Sequence, residues 1–261
     1  MESLILKRIL KRIYHHANPY VPKFLSIFVV FFCDVLYTKG KIEGGDLVEL
    51  ETTLSQTIRT AGINSDYDSA CKRLLSEKII LAWIMKNCLE EYRECSISEI
   101  IEKYIEGEPQ VAEVPVLPDQ TNPSLIKGER TEDKTITEGT ITYDIRFTAT
   151  APKSGEFIRL IINVEAQNNF YPGYPLLKRS IYYCSRMISA QYGTVFSSAQ
   201  YDKIRKVYSI WICMNPPKSR ENTITQYYIA EKSLVGHVTE KVENYDLMSA
   251  VMICLGKPDS E

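Results

Sequence analysis

The chain has 261 residues, 44% of them hydrophobic and 25% charged, with a formal net charge of -2. That balance suits one globular domain of ordinary size plus an extension, with enough apolar material for a sizeable core. It excludes a global attraction to polyanions, so a nucleic-acid partner would have to be met by a local basic patch.

The seven cysteines, Cys33, Cys71, Cys88, Cys95, Cys184, Cys213 and Cys254, stand singly and form no CxxC. They read as reduced, buried thiols of a cytoplasmic protein rather than a disulfide or zinc framework. With three histidines, His15, His16 and His237, there is little material for a histidine metal site or a Ser-His-Asp triad. Hydrolytic chemistry here would need carboxylates and a metal.

Residues 1–45 form an extension unlike the rest. Lys7, Arg8, Lys11, Arg12 and Lys23 precede an apolar run, FLSIFVVFFCDVLY, from Phe24 to Tyr37. The run is shorter than the roughly 17–25 residues of a spanning helix, contains Asp34 and lies between Pro22 and Lys39. A buried or interfacial segment, or a part outside the functional fold, accounts for it better than a membrane anchor.

From Tyr67 to Arg93 good helix formers follow Ser65 and Asp66, either of which can cap a start, with no Pro or Gly. Ala70, Leu74, Leu81, Ile84 and Cys88 mark an inward face, and Glu77 falls on it by three-and-four spacing. Glu77 is therefore a candidate buried carboxylate, against the ordinary alternative of an exposed acid at the edge of the apolar stripe. A second short helix is expected from Ile97 to Ile105. The acidic segment 107–139, rich in Pro, Gly and polar residues, connects it to the next element and carries short extended pieces at most.

Next comes a β-hairpin. Ile141, Tyr143, Ile145 and Phe147 alternate with Thr142, Asp144 and Arg146, and Ile162, Val164 and Ala166 alternate with Asn163, Glu165 and Gln167. Pro152-Lys153-Ser154-Gly155 is the turn signal between them. Folded back, the arms set Asp144 across from Asn163 with Glu165 as its diagonal neighbour, at about 7–8 Å between backbones, so both carboxylates could reach one ion. Taken alone, alternating acids more often belong to a solvated face. Phe170 to Pro175 is a turn, and Leu176 to Tyr192 a helix ended by Gly193. On it Ile181, Cys184, Ile188 and Tyr192 are expected to face the sheet, with Lys178, Arg179 and Arg186 along the opposite flank. Together with Lys203, Arg205 and Lys206 these make the most basic region of the chain, carrying Tyr182 and Tyr183. It reads equally as a phosphate-binding surface or as an ordinary solvated face. Val207 to Asn215 is a buried strand stopped by Pro216-Pro217.

In that order, YDSACKRLL, GTITYDIRF, LIINVEAQN, YPGYPLLKRSIYYCSRMISAQYG and VYSIWICMNPP make residues 60–256 resemble the PD-(D/E)XK nuclease superfamily, and more narrowly its transposase-like or recombination-promoting branch. The resemblance implies an α/β fold with a restriction-endonuclease-like core, a mixed central sheet flanked by helices. It further implies a Mg²⁺-dependent endodeoxyribonuclease of mobile-element or DNA-recombination type, with Mn²⁺ as an alternative ion. Asp144 and Glu165 would bind the ion, helped by the backbone carbonyl of Ala166. Gln167 stands where the superfamily's name expects Lys, and a neutral amide can only hydrogen-bond where an ammonium would also stabilise phosphate charge. Arg179 is the implied phosphate contact, with Lys178 and Arg186 beside it, and Lys72 and Glu77 are supporting candidates from the first helix. DNA is the implied partner, and two copies of the site, as in a homodimer, would serve cleavage of both strands. The resembling proteins often continue beyond the point where this chain stops, which leaves a rival: a truncated, inactive mobile-element remnant acting at most as a nucleic-acid-binding or structural protein.

Overall fold

The computed structural model describes residues 72, 75–111, 132–135, 139–153 and 156–256. The extension 1–45, its apolar run and Cys33 and Cys71 lie outside these residues. Among the described residues no helix is long and apolar enough to cross a membrane.

The architecture is mixed α/β. In chain order come α1 (Lys78–Cys88), α2 (Ile97–Glu99, continued as a wider coil over Ile100–Tyr104), β1 (Ile105–Val111), β2 (Glu132–Thr135), β3 (Gly139–Thr142), β4 (Ile145–Lys153), β5 (Glu156–Asn169), α3 (Leu176–Ser189), β6 (Val207–Asn215), β7 (Thr223–Tyr228) and β8 (Met248–Cys254). Six strands form one sheet in the order β1-β4-β5-β6-β8-β7, while β2 and β3 pair separately. Pairing is antiparallel from β1 to β5, parallel from β5 through β6 to β8, and antiparallel again at β7.

The two faces of the sheet bury different sets of residues. On the first, α1 and α2 cover Ile145, Phe147 and Ala149 of β4, Ile162 and Val164 of β5, Tyr208, Ile210 and Ile212 of β6, and Val251 and Ile253 of β8. On the second, Leu176, Tyr183, Cys184 and Met187 of α3 pack on Tyr143, Val207, Trp211, Cys213, Met252 and Cys254. Covered on both sides, β6 is buried from Val207 to Met214, which is why it reads as a continuous apolar run rather than an alternating one. Beyond the sheet, Tyr208 donates to Glu91 at 2.7 Å and Lys206 bridges Glu91 (3.3 Å) and Asp246 (2.7 Å), tying the segment after α1 to the start of β6.

Several expectations change in detail. The single helix expected over 67–93 is interrupted, because Glu77 takes an extended conformation (ψ 125°) and caps α1. Lys72, Leu75 and Ser76 belong to a helical turn on the other side of that bend. Residues Ile79 to Met85 are all buried, so α1 has no single inward face. Glu77 is half-buried at the bend, and Ala70 and Leu74 lie outside the described residues. Ser96 accepts from the Glu99 amide and caps α2 at 3.1 Å, as Ser-x-x-Glu allows. The segment after α2 opens with a full strand, β1, rather than a connector.

The hairpin forms with a different register. Lys153 pairs with Glu156, Pro152 with Phe157 and Ile145 with Val164. Pro152 thus belongs to β4 and not to the turn. Its missing N–H is harmless because β1 pairs no further along β4 than Ala149. The chain also bends at Asp144 between β3 and β4, which resets the alternation. Tyr143 packs under α3 while Ile145 packs under α1.

The helix α3 follows Pro172-Gly173 in a turn where Gly173 has φ 102°, and after it Gly193 adopts φ 80°, as the sequence expects of a helix-ending glycine. Its buried positions are Leu176, Ser180, Tyr183, Cys184, Arg186 and Met187. Of the four residues expected to face the sheet, Cys184 does and Ile188 is half-buried, while Ile181 and Tyr192 are exposed. Among described residues the cysteines are free, and Cys95, Cys184, Cys213 and Cys254 are buried. Finally, β7 and β8 are joined by an irregular crossing whose residues 229–244 are exposed, Val235 by 98%.

Candidate active site

Extending the register Ile145↔Val164 by one step sets Asp144 directly across from Glu165, not across from Asn163. Each then reaches over to the other strand. The Asp144 amide donates to Glu165 Oε1 at 3.1 Å, and the Ala166 amide donates to Asp144 Oδ2 at 3.0 Å. Both acids sit where the antiparallel hairpin meets the parallel half of the sheet. Glu165 is buried at 4% exposure beside Trp211 of the next strand. A buried carboxylate is costly unless charges or donors satisfy it. One cation that meets the pair is Lys72, whose Nζ lies 3.2 Å from Asp144 Oδ1 with the lysine side chain 8% exposed.

A second cation approaches from α3. Arg179 lies 5.1 Å over the Trp211 ring and 5.1 Å over the Tyr183 ring. Its Nε and one terminal nitrogen donate to the Tyr183 oxygen (3.1 and 2.6 Å), and the other terminal nitrogen donates to Tyr174 (2.9 Å). A guanidinium has five N–H groups, so each terminal nitrogen keeps one beyond these bonds. Burial works against the charge of Arg179, but Tyr183, Tyr174 and Glu165 outweigh it, and its pKa is raised.

Burial first, and the Glu165 charge second, push the Tyr183 hydroxyl up to about 12, and burial pushes the neighbouring Cys184 thiol up to about 12. Folding therefore holds both protons more tightly than the unfolded chain, whose thiol and phenol ionise near 9 and 10. The stability this supplies is complete below pH 9 and is lost as the pH rises towards 12. Chemical denaturation at fixed pH should show a falling midpoint from pH 9 upward, and Cys184→Ala should make the fall shallower without moving its onset, because the Cys95 and Cys213 thiols are also held above their ordinary value.

The structure thus brings Asp144, Glu165, Lys72 and Arg179 to one end of the hairpin, but treats the other candidates differently. Arg186 is 2% exposed and donates to Tyr182, so it lies off the solvent flank expected of it. It follows Tyr182 by one helical turn and is drawn over that ring. Lys178 is exposed. Lys206 is engaged with Glu91 and Asp246, which removes it from the basic surface. Gln167 donates to the Asn169 carbonyl at 2.6 Å. Sequence reasoning missed the aromatic seat of Arg179. The signal was the spacing of Arg179 and Tyr183, one helical turn apart, and a lone Trp inside the buried strand.

Two hard oxygen anions on adjacent strands, backed by the Ala166 peptide, suit Mg²⁺, which commonly takes one or two protein carboxylates and keeps several waters. Among the described residues no group of three or more His, Cys, Asp or Glu side chains forms a fuller ligand set. Asp144 and Glu165 would hold the ion. Comparison with family models, with curated proteins and with solved structures finds no match to this chain.

Proposed function

We propose that the chain is a Mg²⁺-dependent endonuclease hydrolysing phosphodiester bonds of DNA, with a restriction-endonuclease-like core and a role in transposition or recombination. The observation that carries the proposal is the facing of Asp144, at the bend before β4, and Glu165 of β5, each held by a backbone amide of the other's strand segment, with Lys72 and Arg179 beside them. Carboxylates held by backbone amides keep their position without a partner ion, so the site is built before it is loaded.

In the reaction, a water oxygen forms a bond to phosphorus in line with the leaving sugar oxygen. That P–O bond breaks, the leaving oxygen gains a proton from solvent and the attacking water loses one. The divalent ion, when bound, supplies positive charge for the phosphate and lowers the pKa of water. Asp144 and Glu165 would fix the ion's place, and the spare N–H groups of Arg179, seated over Tyr183 and Trp211, would donate to a phosphate oxygen.

The test is incubation of supercoiled plasmid with purified protein in Mg²⁺, in Mn²⁺ and in chelator. Nicking or linearisation in metal and none in chelator is the expected result. No cleavage by folded protein in either metal would overturn the proposal. It would favour a structural part for the two acids, which their backbone hydrogen bonds independently suit, since these lock the open end of the hairpin.

A further inference from the structure

Position 167, two residues after Glu165, carries a neutral amide bonded to a nearby carbonyl, so the strand itself brings no ammonium to the carboxylate pair. The structure brings one from elsewhere. Lys72 lies on the helical turn before the Glu77 bend, is 6% exposed and points its Nζ at Asp144 Oδ1, while Asp144 Oδ2 is occupied by the Ala166 amide. A buried ion pair is a weak source of net stability, because apolar residues of similar size often do as well. Stability alone therefore explains poorly why an ammonium is placed against this particular acid.

We propose that Lys72 is the charge-setting lysine of the active site, contacting the scissile phosphate from the side of Asp144 and doing so at the expense of metal affinity. This inference rests on the nuclease reading of the same residues. Its logic is a charge count. Asp144 and Glu165 carry two negative charges, and Lys72 reduces the pair to one. A divalent ion then leaves the site with a net positive charge, which draws in a phosphodiester anion and the further negative charge of its transition state. Without Lys72 the two carboxylates and the ion sum to zero and the attraction for phosphate is left to Arg179, so the site holds the ion more tightly and the phosphate less well.

The experiment measures two quantities on the full chain: Mg²⁺ affinity by calorimetry and the single-turnover rate of plasmid nicking. Lys72→Met should bind Mg²⁺ about tenfold more tightly and cut at least about a hundredfold more slowly. Adding Gln167→Lys to Lys72→Met should restore part of the rate and return the metal affinity towards the starting value, because it returns one ammonium to the same cluster. A lysine with only a structural part would show neither the opposite movement of affinity and rate nor the rescue. If Lys72→Met does not fold, Lys72→Gln, which keeps a hydrogen bond to Asp144, carries the same expectations. Wild-type cleavage in a folded Lys72 variant, or a slow variant whose metal affinity is unchanged or weaker, overturns the proposal and leaves the nuclease reading standing. A parent protein that binds Mg²⁺ and does not cut overturns both.

Discussion

Glu165→Gln is expected to reduce metal-dependent cleavage by at least about a thousandfold while leaving the fold in place. The amide keeps an oxygen that can accept from the Asp144 amide, as Glu165 Oε1 does at 3.1 Å, and its volume matches, so the buried position stays filled. What disappears is one of the two negative charges facing the ion. Asp144→Asn should cut as poorly but behave differently in the denaturation curve. It leaves the Lys72 ammonium, 8% exposed, beside a neutral group, and breaking such a pair costs about 3–5 kcal/mol. Calorimetric Mg²⁺ titration, circular dichroism and the plasmid assay on the two variants separate these effects. A Glu165→Gln protein that is folded and cuts at the parent rate would remove Glu165 from the site.

Trp211→Ala should cost about 3–5 kcal/mol of stability and should also impair the site. Trp211 is fully buried in the central strand, its indole N–H donates to Ser209 Oγ at 2.9 Å, and its ring packs 5.5 Å from that of Tyr183. Truncation opens a cavity between β6 and α3 where neither backbone can close in. It also removes the surface on which Arg179 rests, so phosphate affinity should fall beyond what global destabilisation explains. Urea denaturation gives the first quantity, and binding of a short DNA duplex at a temperature where the variant is folded gives the second. A loss of stability with unchanged DNA binding would show that Arg179 needs only its tyrosine partners.

The parts of this structure legible in the sequence are those where one local rule acts without competition. Val207 to Asn215 emerges with the expected bounds, because a buried parallel strand and two following prolines leave no other solution. The helix from Leu176 and its glycine stop are legible for the same reason. Pairing register is not, since it depends on how many residues the turn consumes: Pro152 reads as turn material, yet it pairs with Phe157 and belongs to β4. The bend at Asp144 hides behind a run of alternating residues that is itself regular. The Asp144–Glu165 pair was recoverable as two acids on facing strands, but the contact of Lys72 with Asp144 was not, because it joins residues 72 positions apart and no periodicity spans that separation. Arg186 misleads because periodicity alone sets a charged residue on the solvent flank, whereas here it is buried at 2% exposure while Tyr182, the ring it lies over, stays exposed.

The exposed crossing between β7 and β8 bears on how the protein can be divided. The two strands it joins remain antiparallel partners whether or not the peptide between them is intact, since Tyr228 pairs with Ser249 and Thr223 with Cys254 along their whole length. A protease nick within residues 229–244 would therefore leave two fragments that hold together, and a circular permutation or inserted tag there would spare the carboxylates, which sit at the start of β4 and on β5 on the other side of β6 in the sheet.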